Sequence, residues 1–304
     1  MTDTARTARN GALPSRLPHG QTAGPAPPLR TPAMPPLILD SVTHLKDDNR
    51  GFVVACASHG AVYAAWYAAS KGVAALVLND AGVGREQAGI SGLPYLDGLG
   101  VPAATVSHNS ARIGWGSDTL ILGVLSFVNR TAAALGLAPG MRCDEALAIL
   151  GRANLPPAPR PAPLDEARHE IVEAGANGVR VFVLDSNGLV GKDDAGHVVV
   201  TASHGGLLAG KPETAVKADV RAAVYVDADR GLMDAGISRL PALQARGIAG
   251  AAVSAFSARI GDGLSVWTDG FVSALNPLAE QRGGAIGQST QDFVAAMVAS
   301  KASA

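Results

Sequence analysis

From Leu37 onward, short apolar runs alternate with longer amphipathic stretches. Phe52–Ala57 is an apolar run that ends at Ser58-His59-Gly60, and Val73–Leu78 shows no two-residue alternation. Runs of this kind are expected of strands buried on both faces of a parallel sheet. Ala61–Ser70, between them, predicts a helix, with Lys71-Gly72 closing it as a C-terminal glycine cap. A helix around Glu86–Leu99 and a strand at Val101–Val106 follow. Ser117–Leu135 reads as one long helix, and Asp144–Leu150 as a short one after a turn at Pro139-Gly140. Leu37–Val42 and Val179–Leu184 are further strands, each opening a half of the chain. The second half then predicts strands near His197–Ala202, Ala222–Val226 and Ile248–Val253. Alternation of strand and helix implies an α/β fold with mainly parallel sheets and helices on both faces.

The two halves also repeat in sequence. Ala88-Gly89-Ile90-Ser91-Gly92-Leu93-Pro94-Tyr95-Leu96 recurs as Ala235-Gly236-Ile237-Ser238-Arg239-Leu240-Pro241-Ala242-Leu243, identical at seven of nine positions. Ser107–Gly116 recurs as Ser254–Gly263 at seven of ten, with Ser-Ala-Arg-Ile-Gly-x-Gly common to both. Both pairs are offset by 147 residues (Ala88 to Ala235), whereas Ser58-His59-Gly60 matches Ser203-His204-Gly205 at 145, as Asp40-Ser41 matches Asp185-Ser186. One two-residue indel after the Ser-His-Gly turn reconciles them. The period is far longer than the 20–50 residues of a solenoid repeat, so the expectation is two homologous tandem α/β halves related by a pseudo-twofold.

The boundaries follow from composition. Residues 1–36 hold eight of the 19 prolines, four arginines and one acid, Asp3, and are expected to form a disordered, dispensable tail without a secretory h-region. Residues 37–153 are the first repeat and 179–304 the second. Between them, 154–178 is a linker, Pro-rich over 154–163, followed by a helix at Asp165–Ala174 with Glu166, Arg168 and Glu173 exposed.

Matched polar residues fall at the carboxyl ends of the expected strands: Ser58-His59, Asn79-Asp80 and Ser107-His108 in the first half. Ligands of open α/β sheets bind along that edge. Ser58 and Ser203 either cap the helix that follows or, with His59 and His204, present donors to an anion or oxyanion. Asp80 and Asp227 suit general acid/base work or else cap a turn. His108 has no counterpart, because Ala255 stands there. Arg112 and Arg259, with Ser110 and Ser257, form either a clamp for a carboxylate or ring carbonyl, or a loop latch with Asp118 or Asp262. The expected catalytic set is His59, His108, Asp80, Ser58 and Ser110. Arg112, Asn79, Ser107, Ser203, His204, Asp227, Ser257 and Arg259 would bind substrate.

Composition narrows the classes. Lys and Arg total 25 against 26 Asp and Glu, which argues against a nucleic-acid partner. Hydrophobic residues make up 47% and aromatics only 4%, so the core must be aliphatic and alanine-rich. The longest apolar run, Thr119–Val128, is too short to span a bilayer and reads as buried helix. Cys56 and Cys143 cannot form a disulfide framework and neither has a neighbouring His, so both are expected to be inert and the protein cytoplasmic. No GxGxxG, GxxxxGK[ST] or GxSxG is present. His59, Asp80 and His108 would make a two-His-one-carboxylate set, but they come from three loops without metal-ligand spacing, and no metal is expected. The expectation is a cofactor-independent enzyme, possibly a homo-oligomer, acting on a small polar or anionic metabolite in a cleft between the halves. Hydrolysis of an amide or lactam-like bond is favoured. The alternatives are a non-catalytic small-molecule-binding protein, or an isomerase or lyase using the same groups.

Overall fold

A strand that is apolar on both faces needs cover above and below, and the chain supplies it twice. The computed structural model describes residues 35–172 and 178–300. The tail expected over 1–36 therefore lies, for residues 1–34, outside the described residues. The first sheet holds β1 (Leu37–Leu39), β2 (Val53–His59), β3 (Ala75–Asn79), β4 (Ala103–Val106) and β5 (Leu125–Val128), in that spatial order. β1 to β4 are parallel and β5 runs antiparallel to β4. The second sheet has the order β11-β10-β9-β8-β7-β6, formed by β6 (Arg168–Val172), β7 (Val181–Leu184), β8 (Val198–His204), β9 (Ala222–Val226), β10 (Ala249–Val253) and β11 (Val272–Leu275). β7 to β10 are parallel, and both edge strands are antiparallel to their neighbours.

Strand side chains alternate between faces, and the core divides accordingly. In the first sheet Val54, Cys56, Leu76 and Leu78 pack with Ala64, Ala65 and Ala68 of α1 (Val62–Ser70) and with Leu93 and Leu96 of α2 (Gly92–Gly98). Ala55, Val77, Ala104 and Val106 face the other way, toward Cys143, Ala146, Leu147 and Leu150 of α5 (Cys143–Arg152). The second sheet repeats this with Phe182, Tyr225 and Ala252 over α6 (Arg239–Ala245), and with Val200, Val224 and Ala251 over α7 (Gly263–Asp269), α8 (Pro277–Gln281) and α9 (Thr290–Ala299). Burial pushes the Cys56 and Cys143 thiols up to about 11 and about 12, which keeps them protonated.

Three expected helices are not formed as read, and the first, Glu86–Leu99, is α-helical only over Gly92–Gly98, after a turn in which Glu86 and Gln87 hold positive φ. Ser117–Leu135 breaks into α3 (Gly116–Ile121), the strand β5 and α4 (Arg130–Ala134). The break falls at Gly123, where a Cβ would lie 2.2 Å from the Thr119 carbonyl oxygen. Asn129 then restarts the helix, its Oδ1 accepting from the Ala132 N–H at 2.8 Å. The apolar run Thr119–Val128 is thus helix end, turn and edge strand. The segment expected as helix over Asp165–Ala174 instead supplies β6, in register Arg168↔Leu184 and His169↔Val183. Pairing with the open edge of β7, and the Arg168–Asp194 ion pair at 2.6 Å, override the local propensity. Glu173 and Ala174 lie outside the described residues. One asymmetry separates the halves: β2 leads to β3 through α1, whereas β8 leads to β9 through a loop with one short turn, Pro212–Thr214. The expected linker is strapped down, with the Ala158 N–H on the Val73 carbonyl at 2.9 Å and the Trp66 Nε1–H on the Ala162 carbonyl at 2.7 Å.

The halves pack through one continuous set of small residues, in which Ala61, Ala81, Ala88 and Ile113 meet Ala228, Ala235, Ala255, Ala258 and Ile260. Reciprocal backbone bonds join them. The Arg85 N–H donates to the Ala255 carbonyl and the Leu232 N–H to the His108 carbonyl, both at 2.8 Å. Residues 85 and 232, like 108 and 255, are the matched positions at the 147 offset, so each half gives the other the same bond.

Candidate functional site

The carboxyl ends of β2 and β8 face one another across a cleft of about 520 Å³. Ser58 and His59 line it from the first half, Ser203 and His204 from the second, and the two imidazoles stand 6.2 Å apart between centroids at 77°. Each serine is an acceptor. Ser58 Oγ takes the Val42 N–H at 2.9 Å, and Ser203 Oγ takes the Asn187 N–H at 2.9 Å. The serines therefore tie the loops after β1 and β7 to the strand ends beside them.

The two histidines are set alike. His59 Nδ1 accepts from the Ala61 N–H at 3.3 Å and His204 Nδ1 from the Gly206 N–H at 3.2 Å. A backbone donor at Nδ1 assigns the proton to Nε2. Burial lowers His59 to about 4. Burial first, then the neighbouring Arg239 charge and His59, hold His204 well below its ordinary value. Both rings are neutral at pH 7, each with its proton on Nε2.

Other groups in the cleft were not singled out by the sequence reading. Arg239 is 4% exposed and lines the second-half wall. Its Nε donates to the His204 carbonyl at 3.3 Å, and one terminal nitrogen bonds the Thr214 and Ala215 carbonyls. No carboxylate among the described residues forms an ion pair with it. The signal was present in the nine-residue repeat, where Arg239 is the charged mismatch opposite Gly92. A Cβ at Gly92 would lie 2.6 Å from that of Ala65, so α1 fills in the first half the space Arg239 takes in the second. Glu166, expected on an exposed helix, turns into the cleft instead. Burial raises its carboxyl above the ordinary range, against hydrogen bonding from Ser186 and Tyr63 and with the Asp185 charge acting in the same direction as burial.

The remaining expected site residues lie outside this cleft. Asp80 and His108 form a clamp where the halves meet. His108 Nδ1 lies 2.8 Å from Asp80 Oδ1, and Nε2 lies 3.1 Å from Asp229 Oδ2 in the other half. Burial opposes the charged ring, but bonding and charge from Asp80 and Asp229 outweigh it, and His108 is raised above its ordinary value. The matched place pairs Ala255 of the second half with Gly82 of the first. Asp227 there binds the Asp229 and Ala255 N–H groups through Oδ1 and the Ser273 hydroxyl through Oδ2, at 2.7–2.9 Å. Asn79 is fully buried and pins its own loop, accepting from the Ala81 N–H and donating to the Ala111 carbonyl. Ser107 Oγ accepts from the Asn109 N–H. Ser110 and Ser257 hold the Val124 and Phe271 N–H groups, each at 3.0 Å.

Arg112 makes two bonds to Asp118, at 2.5 and 3.1 Å, and stacks 3.7 Å above the Trp115 ring. Arg259 pairs with Asp262 at 2.9 Å and reaches Glu86 of the first half at 3.2 Å. Both arginines have the loop-latch geometry and neither lines the cleft. The last glycine of each Arg-Ile-Gly-x-Gly loop is fixed by close approach. A Cβ at Gly116 would lie 2.7 Å from the Leu39 backbone, and one at Gly263 2.8 Å from Leu184. Their N–H groups donate to Asp40 and Asp185, each at 2.9 Å. The matched acids thus tie the loops to the first strand of each half.

The clamp has a measurable consequence. A histidine raised in the folded state stabilises it below the ordinary value of 6.5, and that stabilisation fades as pH rises through the folded value. Urea midpoints from pH 6 to 9 should fall in the wild type, with the fall flattened in His108→Gln. Equal slopes in the two proteins would remove His108 from this role.

No group of three or more His, Cys, Asp or Glu among the described residues is placed to hold a metal ion. No helix among them is long and apolar enough to cross a membrane. Comparison with protein families, curated proteins and solved structures finds no match.

Proposed function

We propose that the two halves are copies related by a pseudo-twofold, and that the cleft between them is the active site of a cytoplasmic, cofactor-independent hydrolase. Its substrate is a small anionic metabolite carrying an amide or lactam-like bond. The observation that carries this reading is the arrangement in one cleft of two neutral imidazoles, a carboxyl raised by burial, and a buried guanidinium without a carboxylate partner. His59 and His204 supply Nε2–H donors to the substrate carbonyl, where negative charge develops. Glu166, with its raised carboxyl, takes a proton from water as the water oxygen bonds to the carbonyl carbon. It returns that proton to the nitrogen as the C–N bond breaks. Ser58 and Ser203 act by holding loops, because both hydroxyls already accept backbone N–H bonds.

That last observation also favours a second reading. A cleft without a paired nucleophile and base suits a protein that binds a small molecule and leaves it unchanged. A panel of small anionic amides and lactams separates the two. The hydrolase reading expects turnover, lowered roughly 10²-fold or more in Glu166→Gln. Tight binding without product from any member sinks it in favour of the binding protein.

A further inference from the structure

The two walls of the cleft differ, and the difference bears on what fits between them. This inference rests on the cleft being the binding site. The first-half wall is aromatic. Tyr63 and Tyr67 of α1 line it with ring centroids 6.4 Å apart, and Trp66 backs Tyr63 at 5.2 Å. Three of the chain's few aromatics thus sit within one helical turn, and the second half, with no α-helix between β8 and β9, has no aromatic residue between Gly205 and Arg221.

The second-half wall is cationic. Arg239 is buried there without an acidic partner, and Lys217 lines the same side, its Nζ donating to the Gly188 carbonyl at 2.5 Å. Three acids also line the cleft, and each is accounted for. Asp185 has one oxygen on the Gly263 N–H at 2.9 Å and the other on the Ala167 N–H at 2.7 Å. Glu166 is hydrogen-bonded by Ser186 and Tyr63 and has the Lys217 charge beside it. Glu213 is exposed at the rim. The deepest charge is therefore the guanidinium. A buried Arg held by three carbonyls and by the Tyr225 side chain, with no carboxylate partner, stays charged and matches a carboxylate best.

We propose that the cleft takes a small carboxylate on a planar conjugated ring, the ring lying on Tyr63 and Tyr67 and the carboxylate facing Arg239 and Lys217. Stacking selects a flat ring, and the single cationic wall fixes which end enters.

The test uses the full chain with benzoate, benzamide and cyclohexanecarboxylate as probes, by calorimetry and by ¹⁵N signals of the imidazoles. Benzoate is expected to bind and to shift the His59 and His204 ring signals. Benzamide, its uncharged isostere, should bind about tenfold more weakly or worse. Cyclohexanecarboxylate should bind several-fold more weakly. Tyr63→Leu, which keeps an apolar side chain on the cleft wall, should erase the preference for the flat ring and keep the preference for charge. Arg239→Gln, which removes the guanidinium charge, should reduce the preference for charge, and Tyr63→Leu remains decisive if that variant does not fold. Equal affinity for benzoate and benzamide, no binding of benzoate at millimolar concentration, or a ring preference untouched in Tyr63→Leu overturns the ligand class while leaving the cleft as the site. Benzoate binding that leaves both imidazole signals unmoved overturns the site as well.

Discussion

Acidification from pH 6.5 toward 4 should destabilise the protein steeply, and the cause should be the pair of imidazoles in the cleft. His59 is held neutral in the fold down to about 4, whereas the unfolded chain takes up its proton near 6.5. The unfolded state therefore binds more protons throughout that window, and stability falls as pH falls. The difference for His59 amounts to about 2–3 kcal/mol at the acid end. His204 is shifted in the same direction, by burial and by Arg239 beside it, and adds to the loss. His108 acts on the other limb, so stability should peak near neutrality. Guanidinium unfolding at a series of pH values measures this directly. Replacing His59 by Gln should flatten the acid limb and leave the alkaline limb in place. An acid limb of unchanged slope in His59→Gln would assign the loss to other groups.

Gly82→Asp should be nearly as disruptive, although it makes the two halves more alike. Position 82 corresponds to Asp229 in the second half. The two meet at the contact between the halves, where a Cβ on Gly82 would lie 2.3 Å from the Cβ of Asp229. Gly82 also has φ +77 within a left-handed turn that runs from Ala81 to Gly84, and Ala228 to Gly231 form the same turn opposite. Three of the residues flanking this contact, Ala81, Val83 and Ala228, already hold positive φ without being glycine, at roughly 1 kcal/mol or more each. A side chain at 82 adds steric overlap and a second acid beside Asp229. The expected loss is about 2–4 kcal/mol, read from thermal or urea unfolding. Gly98→Asp is the control, since nothing lies within 4 Å of a Cβ there. A Gly82→Asp protein as stable as that control would mean that the halves can part at this contact without consequence.

Much of the architecture was legible because it depends on local periodicity. Phe52–Ala57, Val73–Leu78 and Ala222–Val226 are apolar on both faces, and a strand covered on both sides is the simplest way to bury such runs. The Ser117–Leu135 reading failed for a related reason. Its apolar positions suit a helix face, but a carbonyl of the preceding turn blocks any side chain at Gly123, and the open edge of β4 supplies the bonds that make Leu125–Val128 a strand. The segment at Arg168 went the same way, captured by the edge of β7. An unpaired edge lies far away in the chain and leaves no periodic trace in the segment that covers it.

The site divides along the same line. Sequence alone marked Ser58, His59, Ser203 and His204 as matched residues at strand ends, because chain order fixes which end of a parallel strand a residue occupies. It could not decide which strand ends face one another. Packing of the alanine-lined surfaces brought β2 and β8 together around one cleft, and sent Asp80 and His108 to a clamp with Asp229. It also could not decide whether Arg112 met a ligand or Asp118, since both readings need the same loop. Arg239 and Glu166 show the limit most clearly. Their chemistry in the cleft comes from burial and from the missing helix between β8 and β9, and burial is a property of the assembled chain. Short-range pattern determines what each segment can become, whereas the dielectric and partners around a charged group exist only once distant segments have packed.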